Sequence, residues 1–126
     1  MTDEERTRAR TIRREVLGEK HVAPGTRPRR MAREFERFTV EQCWGAVWNR
    51  EGLPRKTRSM LNIAMLTALA RWHELEVHVR GAITNGVTED EIVEIILQAG
   101  VYGGVPVAAE AFRVADRVFE SLGRGA

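Results

Sequence analysis

One cysteine, Cys43, stands among 126 residues. Its solitude excludes an intrachain disulfide, a CxxC redox pair and a multi-thiolate metal site. No apolar run reaches the length of a membrane span. The charged N-terminus also lacks the apolar h-region of a secretory signal, so a cytoplasmic protein with no membrane role is expected. The three histidines, His21, His73 and His78, form no recognisable metal motif, and HExxH is absent, so metal use has no support. A large charge of one sign is missing as well: 20 basic residues face 18 acidic ones, for a formal net charge of +2. Arginines crowd the first third, among them Arg8, Arg10, Arg13, Arg14, Arg27, Arg29, Arg30 and Arg33, but Glu and Asp interleave with them. That pattern fits a solvated helical surface with a local anion preference better than a nucleic-acid footprint, and no nucleic-acid partner is expected.

What is present reads as helix. The length suits one domain over residues 1–126. Thr2 is an N-cap candidate with Asp3, Glu4 and Glu5 in the first turn, where the helix dipole favours carboxylates; this helix should run to about Leu17 and stop at Gly18. A loop with Pro24, Gly25 and Pro28 follows. A second helix is expected from roughly Arg29 to Val47, carrying Met31, Phe35, Phe38 and Trp44, then a turn over Asn49 to Gly52. Pro54 suits the first turn of a third helix. Its stretch from Met60 to Leu69 is apolar nearly all round and needs cover on every side, which implies a partner subunit. A fourth helix, about His73 to Asn85, should end at Gly86, a good left-handed C-cap. Thr88-Glu89-Asp90-Glu91 is a capping box that starts a fifth, with Ile92, Ile95, Ile96 and Ala99 as its buried stripe. Pro106 begins the last helix after Gly103-Gly104, with Ala108, Ala111, Phe112, Ala115, Val118, Phe119 and Leu122 at steps of three and four. No alternating strand pattern occurs. The fold class is all-α, with about six helices.

The fourth helix carries the first candidates for chemistry. His78 falls within the apolar stripe of Leu75, Val79 and Ala82. Glu74 lies one turn earlier, roughly 40° away in helical rotation. Two proton-handling groups on a buried face would be poised for acid–base work. On spacing alone, a buried histidine satisfied by a neighbouring carboxylate is the simpler account. Trp44 and Trp48 could form a flat apolar wall, while Arg50 and Arg58 could hold carboxylates through bidentate pairing. The plainer alternative is core packing for the tryptophans and solvation for the arginines. Tyr102 precedes Gly103-Gly104, where backbone can approach a ligand closely or a helix end simply needs room to turn.

Taken in order, several short strings carry a resemblance. They are His21-Val22, Trp44-Gly45 with Trp48, Gly52-Leu53-Pro54-Arg55-Lys56-Thr57-Arg58-Ser59, and Glu74-Leu75-Glu76-Val77-His78-Val79-Arg80. Asn85-Gly86-Val87-Thr88 and Tyr102-Gly103-Gly104-Val105-Pro106 complete the series. Each is weak alone, but together their order and spacing resemble the carboxymuconolactone decarboxylase family, from about Val16 over nearly the whole chain. The resemblance implies an alkyl hydroperoxidase D-like helical fold and a homo-oligomer, a hexamer or otherwise a trimer, with sites near subunit contacts. Peroxidase relatives of that fold place a CxxC pair shortly before the helix histidine, with an upstream glutamate. Here Arg71 to Glu74 contains no cysteine and Ser59 stands where that glutamate would be, so thiol peroxidase chemistry lacks its reagents. Glu51 and Gln42-Cys43 also depart from the family pattern.

The implied activity is cofactor-independent decarboxylation of a small lactone dicarboxylate, 4-carboxymuconolactone, to 3-oxoadipate enol-lactone in protocatechuate breakdown. Loss of CO2 leaves a carbanion that delocalises through the ring double bond into the lactone carbonyl. The substrate is its own electron sink, and no cofactor is expected. The resemblance casts His78 as proton donor, or as donor to the lactone oxygen, with Glu74 orienting or reprotonating it. Arg58 and Arg50 become carboxylate anchors, Trp44 and Trp48 walls, and His21 and Tyr102 further substrate contacts. Two other readings remain open at this point: a related enzyme for a different keto or lactone acid, and a non-enzymatic helical oligomer that binds a small acid.

Overall fold

The computed structural model describes residues 1–18 and 29–124. The loop expected around Pro24, Gly25 and Pro28 lies outside them, as does His21. Among the described residues the chain is helical without strands, and no helix is long and apolar enough to cross a membrane. In chain order the elements are α1 (Asp3–Leu17), α2 (Arg30–Thr39) with a π-helical continuation (Val40–Trp48), α3 (Arg55–Ala68), α4 (Trp72–Thr84), α5 (Glu89–Gly103) and α6 (Val105–Ser121). They form two compact units, Met1–Arg55 and Lys56–Ala126.

In the first unit, α1 begins with a reciprocal cap. The Glu5 backbone N–H donates to Thr2 Oγ1 at 3.1 Å, and the Thr2 N–H donates to Glu5 Oε2 at 2.6 Å. The helix buries Ala9, Ile12, Val16 and Leu17 with Val40, Trp44 and Trp48 from the π segment. Two of its arginines reach partners in the same unit: Arg10 the Glu36 carboxylate at 2.9 Å and Arg8 the Asn49 amide oxygen at 3.0 Å. The single second helix expected from Arg29 to Val47 is corrected here, because its regular α-geometry ends at Thr39 and i→i+5 turns run on to Trp48. Gly45 permits this widening. A Cβ there would lie 2.9 Å from the Val40 carbonyl oxygen and 2.6 Å from Met1 Cε. Periodic patterns cannot announce such a π turn, since it uses the residues of an ordinary helix.

In the second unit, α6 packs its stripe of Ala111, Val114, Ala115, Val118 and Phe119 against α4 and α5. The core that results includes Ile63, Leu75, Val79, Ala82, Ile92 and Ile96. Thr88 and Glu91 form the expected capping box of α5, at 3.1 and 3.0 Å. Gly86 ends α4 at φ +90°, with the Val87 N–H donating to the Ala82 carbonyl and the Gly86 N–H to that of Ile83. The same double-bonded end closes α3, but there an alanine, Ala70, takes the left-handed position at φ +57°. Along α3 and just beyond it, Leu61, Met65 and Leu69 are exposed.

Candidate functional site

The second unit gathers polar side chains where α3 faces α4. Ser59, fully buried, accepts a hydrogen bond from Asn85 Nδ2 at 2.9 Å. About one turn further along α3, Asn62 Nδ2 lies 3.3 Å from His78 Nδ1. Rising numbers on α3 meet falling numbers on α4, so the helices run antiparallel along this seam. Asn62, His78 and Asn85 are half-buried, and His78 is flanked on its own helix by the fully buried Leu75, Val79 and Ala82. Arg58, half-buried, sits four residues before Asn62 and shares its side of α3. An imidazole, an amide and a guanidinium thus occupy neighbouring positions, a set able to donate hydrogen bonds to an anionic, oxygen-rich ligand.

Glu74 differs from His78. It is exposed in the single chain, so the expectation of two proton-handling groups on one buried face holds for the histidine and not for the glutamate. Tyr102 is 85% exposed and lines an apolar groove of about 330 Å³ with Ala64, Met65, Ala68, Gln98, Ala99 and Gly103. A larger groove of about 490 Å³ lies along α3 and α5. Its floor is Met60, Leu61, Ala64 and Ile95, and its rim carries Asp90, Glu91 and Glu94. Carboxylates repel an anionic substrate, so its size does not recommend it as the site. His78 lines neither groove.

In the first unit, Trp44 and Trp48 are buried with ring centroids 5.4 Å apart and planes tilted by 34°. They pack in the unit's core, and Arg50 is exposed just beyond the π segment. Cys43 is half-buried. Burial pushes its thiol up, against the smaller opposing effects of a hydrogen bond with Trp48 and the charge of Arg13. His21 lies outside the described residues. The sequence reading missed Asn62 as a partner of His78. Its one signal was that Asn62 and Thr67 are the polar interruptions in the apolar stretch from Met60 to Leu69.

Among the described residues, an all-helical chain brings His78, Asn62 and Arg58 to neighbouring positions on α3 and α4. Comparison with known proteins makes this specific. The sequence profile of the carboxymuconolactone decarboxylase family matches residues 33–117. The chain is 44% identical over 125 residues to 4-carboxymuconolactone decarboxylase of Acinetobacter baylyi, covering 98% of this chain and 93% of that protein. It is 40% identical over 118 residues to nitrosuccinic acid decarboxylase of Metarhizium robertsii, covering 88% and 78% respectively. An uncharacterised 15.0 kDa protein of Paracoccus denitrificans is 40% identical over 83 residues, 64% of this chain and 61% of that one. The chain belongs to the carboxymuconolactone decarboxylase family.

Proposed function

We propose that this protein is a carboxy-lyase that converts 4-carboxymuconolactone to 3-oxoadipate enol-lactone within protocatechuate degradation, in the cytoplasm and without a cofactor. The observation that carries the reading is the α3–α4 seam, where His78 meets Asn62 at 3.3 Å with Arg58 one turn away. Identity of 44% across nearly the full length of the Acinetobacter enzyme supports the substrate. The family match also runs across both compact units, which supports one functional domain over the whole chain.

The chemistry asks little of the protein. The bond to the departing carboxylate breaks, and its electron pair passes through the ring double bond to the lactone oxygen. The ring carbon next to the carbonyl then gains a proton. His78 supplies the N–H that meets this charge, at carbon or at oxygen. Glu74, at the solvent edge of the same helix, orients it or returns protons to it. Arg58 anchors one carboxylate; the substrate-contact roles of Arg50, Trp44, Trp48, His21 and Tyr102 rest on the family resemblance alone. The active form is a homo-oligomer, a hexamer or otherwise a trimer. Its support is the exposed apolar side chains of Leu61 and Met65 on α3, of Leu69 just beyond it, and of Leu97 and Val101 on α5.

The test is turnover of 4-carboxymuconolactone by wild type, His78→Ala and Glu74→Ala, with light scattering to confirm an unchanged assembly. Each variant should lose at least about a hundredfold in rate, the ordinary worth of one acid–base group. Near-native rates in both would refute the assignment. Nitrosuccinate is assayed alongside, because faster wild-type turnover of that acid would transfer the activity to the second relative's substrate.

A further inference from the structure

The seam contains a detail that the family assignment leaves open. An imidazole offers two nitrogens, and in the neutral ring one donates while the other accepts. The amide nitrogen of Asn62 lies 3.3 Å from His78 Nδ1. An amide nitrogen carries only donors. In this orientation of the amide, Nδ1 is the accepting nitrogen of a neutral ring and the ring proton sits on Nε2. An imidazolium, with donors at both nitrogens, would oppose the Asn62 amide in this orientation.

We infer that Asn62 is a positioning residue that holds His78 as the neutral Nε2–H tautomer, so that His78 serves the reaction as a hydrogen-bond donor to the lactone oxygen. This rests on the proposed decarboxylase reading and deepens it. During CO2 loss the carbon–carbon electron pair moves through the ring double bond onto the lactone oxygen, and the Nε2–H bonds to that oxygen without surrendering its proton. The ring carbon takes its proton afterwards from water, and the imidazole ends each cycle as it began. A neutral donor aimed at developing charge needs no change of protonation state to work, and it stays fixed only if its other nitrogen is held. Asn62 can hold it because it sits on a different helix, in a stretch of α3 whose other members between Met60 and Leu66 are apolar. No alternative polar group on that part of α3 competes for the amide.

Substitution separates a tautomer-setting role from simple packing. Asn62→Asp keeps the shape but turns the donor into an acceptor, which demands a proton on Nδ1. Asn62→Leu removes the contact altogether. The full-length, ¹⁵N-labelled protein is examined by long-range ¹H–¹⁵N correlation of its histidine side chains, with His78 assigned by the signals missing in His78→Gln. The expected wild-type pattern is a protonated Nε2 and a bare Nδ1, moving to a protonated Nδ1 in Asn62→Asp. With 4-carboxymuconolactone, kcat should fall about 10²–10³-fold in Asn62→Asp, the usual cost of losing one preorganised donor. KM should change by less than about threefold, because the arginine anchors are untouched. A wild-type Nδ1–H signal, which is what the reversed amide with Oδ1 toward the ring would require, overturns the inference. So does native kcat in both Asn62 variants. If wild type fails to decarboxylate the lactone, the functional reading falls while the nitrogen spectra still decide the tautomer.

Discussion

Gly100 provides the most exacting test of how the second unit is packed. It lies on α5 against α6, and a Cβ built on it would come 2.6 Å from Ala108 Cβ. Carbon atoms in good contact sit about 3.5–4.0 Å apart, so Gly100→Ala falls short by roughly 1 Å. Both methyls are fixed directly to helix backbones, and rotamer change cannot relieve the overlap. The helices must separate, at a typical overpacking cost of about 1–3 kcal/mol. Against this, alanine gains about 1 kcal/mol over glycine within a helix. The clash wins by about 1 kcal/mol on these figures, so Gly100→Ala should be destabilised. Ala108→Gly alone should lose about 1 kcal/mol in helix propensity. In the double variant the methyl merely changes sides and the propensities cancel, so stability should return to within about 0.5 kcal/mol of wild type. The assay is denaturant unfolding of all four proteins at matched concentration, since assembly makes stability concentration-dependent. Simple additivity, with the double variant about 2 kcal/mol below wild type, would refute the close-approach argument.

Two further outcomes follow from local geometry. Ala70 holds the left-handed position at the end of α3 at φ +57°, a conformation that costs an L-residue about 1–2 kcal/mol. Ala70→Gly should therefore raise stability by about 0.5–1 kcal/mol after the extra unfolded-state entropy of glycine is subtracted; a lowered unfolding midpoint would count against it. Glu91 is held below its ordinary value of 4.5, first by the Thr88 backbone N–H and then by Lys56. A depressed carboxylate stabilises the fold above its unfolded pKa, and that contribution disappears as pH falls through the folded value. Glu91→Gln should flatten the loss of stability below about pH 4.5, and an unchanged acid limb in thermal melts would exclude the linkage.

The parts of this structure legible in the sequence are those set by residues close together in the chain. The capping box at Thr88 and Glu91, the glycine end of α4 and the stripe of α6 all depend on neighbours within one or two turns, and they stand where the pattern puts them. The π segment was hidden because its cause is tertiary: Trp44 and Trp48 pack in the core with α1, and Gly45 gives the backbone room. Ala70 was hidden because alanine is a poor left-handed residue, so nothing but the closing hydrogen bonds from Ala70 and Arg71 reveals the turn. For the candidate site, helical spacing placed His78 on the buried stripe of α4. It could not separate Glu74 from His78 in exposure, since that depends on where the neighbouring helices end. Asn62 was beyond reach for the same reason, because its partner is sixteen residues away on another helix.

The seam itself is not explained by stability. Burying a donor or acceptor without a partner costs about 1–3 kcal/mol, whereas replacing both members of a pair by apolar groups of the same shape is nearly neutral. An apolar seam at Ser59, Asn62, His78 and Asn85 would therefore hold α3 to α4 about as well. What the polar pairs add is direction. Ser59 reaches Asn85 and Asn62 reaches His78 at this register of two antiparallel helices, and a slip of one turn would break both contacts and cost the fully buried Ser59 its amide donor. The Ser59–Asn85 bond, farther along α4, fixes that register without involving the histidine. The Asn62–His78 contact then uses the fixed register to orient one ring. That division separates a bond that aligns two helices from one that, in the proposed reaction, aims an imidazole.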